Sequence, residues 1–190
     1  YAFVDANLLQ DWQLDQDAVA LANPLSAELA VMRTSLLPGL VKTLTNNSAR
    51  QQTRLRLFEM GRVFSLQEAV APLERQMLGA VFHGPSLSEQ WAVKAAQLDF
   101  YDVKAILDAV LAVSGFSAAY RVSDKAFMHP GRSADVLVDG QAVGVIGALH
   151  PRMNKLLDLP GDVFAFELDL SALPQRPLPN LQLEVRGAGI

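Results

Sequence analysis

The chain has 190 residues, 51% of them hydrophobic and 19% charged, and its mean hydropathy is +0.18. These values fit one compact domain and exclude global disorder. The net charge of -4 does not indicate a surface that attracts phosphate backbones, so any RNA contact must be local. The absence of cysteine excludes disulfides, thiolate metal sites and cysteine nucleophiles, and it agrees with the cytoplasmic location that we predict.

The first residue, Tyr1, opens an apolar run without a methionine, so we expect a fragment of a longer protein. No signal peptide is visible, and no window approaches the ~18 apolar residues of a membrane span. The prolines after residue 173 predict a linker or tail over 174–190. The folded domain is therefore expected over 1–173.

The first predicted elements are a strand and a helix. Residues 1–4 predict the strand, and Asp5 can cap the helix that follows it. That helix carries three large apolar side chains, those of Leu8, Leu9 and Trp12.

A second helix is predicted after the turn at Asn23-Pro24. Thr34 or Ser35 can offer a hydroxyl to the free N–H groups of a helix that starts near Leu36, and Arg33 lies just upstream. This helix should end near residues 46–48, or a turn later. Its predicted buried face consists of Leu37, Leu40, Val41 and Leu44, with Pro38 in the first turn.

The apolar run over 55–64 predicts a strand, and the single glycine inside it, Gly61, predicts a bulge. Residues 77–83 provide an antiparallel partner strand, which Gly84-Pro85 stops.

The clearest helix signal covers 100–114, with Asp99 as N-cap, Asp102 in the first turn and Gly115 as terminator. Its predicted core face consists of Val103, Ile106, Leu107, Val110 and Leu111.

The C-terminal third predicts mainly strands. A weak strand at 118–122 precedes a hairpin of 134–138 and 142–149 around Asp139-Gly140. A short helix from Pro151 to residue 157, a turn at Pro160-Gly161 and a last strand over 163–170 follow. The sum is an α+β domain, an antiparallel sheet with a few helices.

Three sets of candidate chemical motifs fail on spacing. The histidines lie too far apart for a zinc site and are expected to be capping or turn residues: His83, His129 and His150. The glycines at 140, 144 and 147 lack the dinucleotide-binding pattern, and Ser133 has no nucleophile elbow. The residues themselves therefore predict no catalytic centre and no metal site.

A local cluster of arginines lies around the strand at 55–64. Its members are Arg50, Arg54, Arg56 and Arg62. A solvated or salt-bridged sheet face is the favoured interpretation, and contact with RNA or with an acidic partner surface is the alternative.

Several runs together resemble the beta subunit of bacterial phenylalanine–tRNA ligases, over about 1–173. The first pair is Asn23-Pro24-Leu25-Ser26 with Met32-Arg33-Thr34-Ser35-Leu36-Leu37-Pro38-Gly39-Leu40. The next is Leu57-Phe58-Glu59-Met60-Gly61-Arg62-Val63-Phe64. The later ones, in the same order, are Asp99-Phe100-Tyr101-Asp102-Val103-Lys104, His129-Pro130-Gly131-Arg132-Ser133-Ala134, Gly147-Ala148-Leu149-His150-Pro151 and Phe164-Ala165-Phe166-Glu167-Leu168.

The resemblance implies a class II synthetase-like core that does not itself perform aminoacylation. In that family a catalytic alpha subunit pairs with beta in an (αβ)2 enzyme that uses ATP and Mg2+ to load phenylalanine onto tRNA(Phe). Editing, magnesium binding and anticodon recognition are expected outside this segment. The resemblance therefore implies a scaffold for the alpha subunit, with no cofactor of its own.

The region at 164–172 stands where the family's core would carry its third class II motif. It lacks the glycine-rich run and the phosphate-gripping arginine, and Glu167 and Asp169 would repel a triphosphate. Arg33, Phe58 and Glu59 resemble remnants of an active site, so we predict a vestigial site.

The resemblance also leads us to place the alpha-subunit contact at the N-terminal strand and helix, with Leu8, Leu9 and Trp12 as candidate contact residues. The alternative function is an isolated module that retains nucleotide, amino-acid or tRNA acceptor binding.

Overall fold

The computed structural model describes residues 2–66, 71–88, 91, 96–159 and 161–175. The strands are β1 (Phe3–Val4), β2 (Val31–Met32), β3 (Leu55–Ser65), β4 (Leu73–His83), β5 (Ala118–Val122), β6 (Met128–Val138), β7 (Gln141–Leu149) and β8 (Val163–Asp169). The α-helices are α1 (Ala6–Trp12), α2 (Leu37–Ser48), α3 (Phe100–Val113) and α4 (Pro151–Leu156), and short 3₁₀ turns lie at Ala27–Leu29 and Leu170–Ala172.

Six of the strands form one antiparallel sheet in the order β3-β4-β8-β7-β6-β5, and β1 pairs with β2 in a separate small sheet. Strand β8, the last of the described strands in chain order, lies in the middle, between β4 and β7. The predicted α+β class is therefore confirmed. Within the described ranges no helix is long and apolar enough to cross a membrane.

The two faces of the six-stranded sheet carry separate hydrophobic cores. One face is covered by α2, whose leucines pack with Trp12 and Met153. The other face is covered by α3, which buries Phe82, Phe164 and Phe166. The sheet is therefore the middle layer of three.

Helix α2 matches its sequence signals. Ser35 Oγ accepts a hydrogen bond from Leu37 N at 3.1 Å, and Pro38 lies in the first turn, where its missing N–H is not needed. The predicted face is buried, and the helix ends at Ser48, as expected.

Helix α3 begins with a capping box. Asp99 accepts from Asp102 N, and the Asp102 carboxylate accepts from Asp99 N, both at 3.0 Å. The prediction of its core face was wrong at two positions, because Ile106 and Val110 remain more than a third exposed. The sheet contacts only a narrow stripe, formed by Val103, Leu107 and Leu111.

The predicted bulge at Gly61 is absent. Strand β3 pairs with β4 without interruption from Leu55↔His83 to Ser65↔Leu73. The glycine has a different role, because a Cβ at this position would overlap the Arg33 guanidinium. Gly61 therefore makes room for an arginine that lies across the strand.

The hairpin at Asp139-Gly140 is confirmed, with φ of 51° and 82° at the two turn residues. Strands β4 and β6 start earlier than predicted, at Leu73 and Met128. The β4 extension continues the ladder with β3, whereas the start of β6 pairs at Met128↔Leu149 and is separated from the rest of its ladder by a register shift before Ser133. Tyr1, Pro160 and positions 176–190, which include most of the predicted tail, lie outside the described residues.

Candidate functional site

One face of the sheet carries a row of directly paired residues that crosses all six strands. Directly paired residues in an antiparallel sheet point to the same face. The row consists of Glu59, Gly79, Glu167, Val145, Asp135 and Arg121. Three carboxylates thus share the face on which α2 packs.

The first turn of α2 fills the middle of this row. A Cβ at Gly79 would lie 3.1 Å from side-chain atoms of Leu36 and Leu40, so the glycine permits the helix to pack closely on the sheet. The helix start separates Glu59, near the β3 edge, from Glu167. What remains open on this face lies toward β5, β6 and β7.

Glu167 is buried at the N-terminus of α2. Its Oε1 accepts from Leu36 N at 2.6 Å, and both carboxylate oxygens lie 3.0 Å from Ser35 Oγ. Burial raises the pKa of the Glu167 carboxyl, although these hydrogen bonds and the charges of Arg75 and Arg33 favour the ionised form. Through these hydrogen bonds the Glu167 carboxylate links strand β8 to the start of helix α2.

A cleft of about 500 Å³ opens beside Glu167. Two ion pairs lie in it, Arg75–Asp169 at 3.5 Å and Arg121–Asp135 at 3.0 Å. Burial alone would raise the pKa of Asp135, but hydrogen bonds from Arg121 and Ser123 lower it. The other charged groups lining the cleft are Asp124, Lys125 and Glu167.

The cleft carries three cations and four carboxylates, so its charges nearly cancel. Phosphoryl chemistry requires an excess of positive charge aimed at the phosphates, and the cleft does not provide it. A triphosphate therefore does not fit these residues. Among the described residues no group of three or more histidine, aspartate or glutamate side chains could hold a metal ion.

The three residues predicted as active-site remnants lie outside this cleft and do not form one site. Arg33 donates to Glu59 at 2.6 Å and to the Arg62 carbonyl at 2.8 Å. Phe58 is the neighbour of Glu59 in the strand, so its side chain points to the opposite face, where it is 77% exposed. Arg33 thus forms an ion pair at the edge of β3.

The four clustered arginines differ in their contacts. Arg56 donates to the carbonyls of Leu55, His83 and Pro85, and burial lowers its pKa. Arg62 pairs with Glu74 at 2.8 Å. The other two are exposed, and Arg54 donates to the Ser86 carbonyl while Arg50 makes no ion pair in the described structure.

Two of the three predicted contact residues of the N-terminal helix are not accessible. Leu9 and Trp12 are completely buried, and Trp12 belongs to the core formed with α2. Leu8 is half-buried and lines a cavity of about 860 Å³ together with Phe3 and Val4. Of the three residues, Leu8 alone can meet a partner.

Two of the three histidines make the local contacts expected from the sequence, whereas His83 contacts a residue that is distant in the chain. Nδ1 of His129 accepts from Gly131 N, and Nδ1 of His150 accepts from Arg152 N at the start of α4. His83 Nδ1 lies 3.0 Å from the Asp162 carbonyl.

Sequence reasoning missed the cleft residues Arg75, Arg121, Lys125 and Asp135. They come from β4, β5, β6 and the connection after β5, and they meet only through the strand order. The one available signal was the alternation of charged and apolar residues on these strands, which does not specify neighbours.

Comparison with known proteins identifies relatives over nearly the whole chain. The family described as "Phenylalanyl tRNA synthetase beta chain CLM domain" matches residues 1–170. The phenylalanine–tRNA ligase beta subunit of Xanthomonas oryzae pv. oryzae (strain MAFF 311018) is 53% identical over 181 residues, which is 94% of this chain and 23% of that protein.

Two further phenylalanine–tRNA ligase beta subunits are similar to this chain over nearly its whole length. That of Xanthomonas campestris pv. campestris (strain 8004) is 53% identical over 95% of this chain, and that of Xylella fastidiosa (strain Temecula1 / ATCC 700964) is 48% identical over 95%. The chain spans 23% of the length of each of these relatives. It belongs to the phenylalanyl-tRNA synthetase beta chain CLM domain family.

Proposed function

We propose that this chain is the non-catalytic, class II synthetase-like core of a phenylalanine–tRNA ligase beta subunit. It scaffolds the catalytic alpha subunit in an (αβ)2 enzyme that attaches phenylalanine to tRNA(Phe), and the ATP and Mg2+ of that reaction bind elsewhere in the assembly. The folded unit is 1–173, with 174–190 as a linker, and the complex is cytoplasmic.

The observation that carries this proposal is the composition of the cleft beside Glu167. Its arginines are neutralised by Asp135 and Asp169, and Glu167 is committed to the helix start. A site that activates an amino acid with ATP requires several free cations in this position. Of the three cations that line the cleft in the described structure, Lys125 is outside these ion pairs, and one lysine does not make a phosphate clamp. This composition agrees with a structural role for the domain.

The Leu8 surface supports the position of the alpha-subunit contact. Leu8 stands at the rim of the 860 Å³ cavity, whose wall includes the apolar side chains of Phe3, Val4 and Leu29. An accessible apolar cavity of this kind is a common site for a partner side chain.

The test compares two substitutions on α1 in the chain co-expressed with the alpha subunit. We expect Leu8→Asp to reduce co-purification with alpha at least about tenfold, because a charge replaces an apolar contact. Gln10→Asp, at an exposed position of the same helix, should leave it unchanged. Thermal unfolding checks that both variants fold. Equal co-purification of the two folded variants would contradict this contact surface.

A second candidate, an amino-acid-binding cleft, is favoured by one detail. Nε of Arg75 is buried beside the cleft without a hydrogen-bond partner. Balanced cations and carboxylates suit a small zwitterion better than a nucleotide. Calorimetric titration of phenylalanine and of ATP into the chain distinguishes the candidates, and saturable binding of both would overturn the scaffold-only function.

A further inference from the structure

The outer edge of β3 is hydrogen-bonded to other parts of the chain along its C-terminal half, whereas its N-terminal half has no partner strand in the described structure. Phe64 N donates to the Arg33 carbonyl, Leu66 N donates to the Asp17 carbonyl, and the Arg62 carbonyl accepts from Arg33 Nε. Even-numbered residues of β3 therefore direct their backbone groups away from β4. The next outward-facing groups toward the N-terminus belong to Met60 and Phe58.

No strand of the described chain lies beside β3 at these two residues, because β3 is the outermost strand of its sheet. Proteins usually protect such an edge with a proline, a bulge or an inward-pointing charge. The ladder of β3 has no bulge, its sequence has no proline, and its inward-pointing charge, Glu59, is already paired with Arg33. The unprotected segment is therefore suited to pairing with another strand.

The side chains along this segment are apolar and exposed. Phe58 is 77% exposed and Met60 is 64% exposed. Phe58 is the first member of an apolar row that runs across the sheet through Ala80 and Phe166. Helix α3 covers the middle of that row and leaves the Phe58 end uncovered. A strand added at this edge would extend the row by one residue.

Positive charge lies at the N-terminal end of the same segment. Arg50 and Arg54 are exposed and make no ion pair within the described residues. Arg56 makes none either, but the carbonyls of His83 and Pro85 hold its guanidinium, and Asp102 partly offsets its charge. The charge that would complement this end is negative.

We propose that the β3 edge at residues 56–60 binds an extended, acidic segment of a partner protein, which adds to the sheet as a further strand. Its backbone pairs with the outward groups of Phe58 and Met60, its apolar side chains cover theirs, and its carboxylates meet the arginines. The site lies apart from the Leu8 surface and does not depend on it.

A second copy of the chain fits this edge poorly. Antiparallel pairing that sets Phe58 against Met60 of the other copy also sets Arg56 against Arg62, at both ends of the contact. Like charges directly opposite each other are destabilising. Single-stranded RNA also fits poorly, because the segment offers one aromatic ring for stacking and the chain carries a net charge of -4.

The first test uses the synthetic heptapeptide Glu-Thr-Val-Thr-Val-Thr-Glu with blocked ends, titrated into the full 190-residue chain by fluorescence anisotropy. Its glutamates and valines share one face of an extended strand, as Arg56, Phe58 and Met60 do. Two further versions carry N-methyl groups, either on every valine or on every threonine. Strand addition predicts that one methylated version loses at least about tenfold in affinity and the other keeps it, because only alternate N–H groups face β3. Equal affinities, or no saturation by the unmethylated peptide at millimolar concentration, would overturn the proposal.

The second test locates the site and its charge preference. Phe58→Ala and Arg54→Ala should each weaken binding of the acidic peptide at least about threefold, and the same peptide with lysine in place of both glutamates should not bind. Tyr101→Ala is the control, since Tyr101 is a comparably exposed aromatic residue on α3. Tighter binding of a single-stranded oligouridine, lost in Phe58→Ala, would assign the surface to RNA and refute the peptide site.

Discussion

The two long helices begin in different ways. Helix α3 is capped by Asp99, its own neighbour in the chain, at an exposed position. Helix α2 is capped by Ser35 together with Glu167, which lies 131 residues from Leu36 and is buried. The first arrangement stabilises a helix from within, whereas the second ties a helix to the centre of the sheet.

The difference shows what each carboxylate contributes. The α3 cap satisfies free N–H groups in contact with water, so its contribution is limited to local hydrogen bonds. Glu167 satisfies Leu36 N at a buried position, and it also links the central strand β8 to the helix that covers the sheet. Removing Glu167 should therefore affect the whole domain, and removing Asp99 should affect mainly the helix start.

The largest expected effect is that of Glu167→Ala. It leaves Leu36 N and the Ser35 hydroxyl without an acceptor and opens a cavity, which should lower the free energy of unfolding by about 2–4 kcal/mol. Urea unfolding of the chain measures this loss. Glu74→Ala is the control, since its carboxylate is half exposed and a surface pair contributes roughly 0–1 kcal/mol. Similar losses in the two variants would show that Glu167 contributes no more than a surface ion pair.

The pH dependence of stability should reveal the buried carboxyl. Its pKa is raised above the ordinary value of 4.5 in the folded state, so between that value and the raised pKa the folded chain binds a proton that the unfolded chain has released. The free energy of unfolding contributed by this group therefore falls as pH rises through that window, by up to about 1.4 kcal/mol per pH unit.

Glu167→Gln removes this titration while keeping an oxygen for Leu36 N. The stability of the wild-type chain relative to Glu167→Gln should decline from about pH 4.5 upward, which chemical denaturation at several pH values can follow. A relative stability that rises with pH would mean that the carboxyl has a lowered pKa and that its hydrogen bonds outweigh its burial.

The smallest effect is expected at Asp99. Asp99→Ala should lower the free energy of unfolding by about 1 kcal/mol, and Asp99→Asn by only a few tenths, because asparagine also caps helices well. Thermal unfolding of the two variants tests this difference. A loss as large as that of Glu167→Ala would show that the exposed cap supports the tertiary structure as well.

The contrast between the caps also explains how far the sequence predicts the fold. The Asp99 cap, the Ser35 cap and the Asp139-Gly140 hairpin are determined by residues within a few positions of each other. The first and third were predicted correctly, and Ser35 was one of the two candidates for the second, with Thr34. The antiparallel pairing of β3 with β4 was predicted for the same reason, since the two strands are consecutive.

The incorrect predictions involve residues that are distant in the chain. Gly61 was assigned to a bulge because nothing nearby indicated that Arg33 would need its space. Leu9 and Trp12 were assigned to an interface, although both are buried and Trp12 belongs to the core formed with α2. The cleft beside Glu167 depends on the strand order, which alternation along single strands does not specify.

The central position of β8 has a consequence for how the domain is made. Before residues 163–169 leave the ribosome, the nascent chain can form two separate units, the β3–β4 hairpin and the β5–β6–β7 meander. Each unit then has an unpaired inner edge and an uncovered apolar surface. Synthesis of β8 joins the two units and brings Glu167 to the start of α2 in the same step, so the domain reaches its stable form only when this strand is complete.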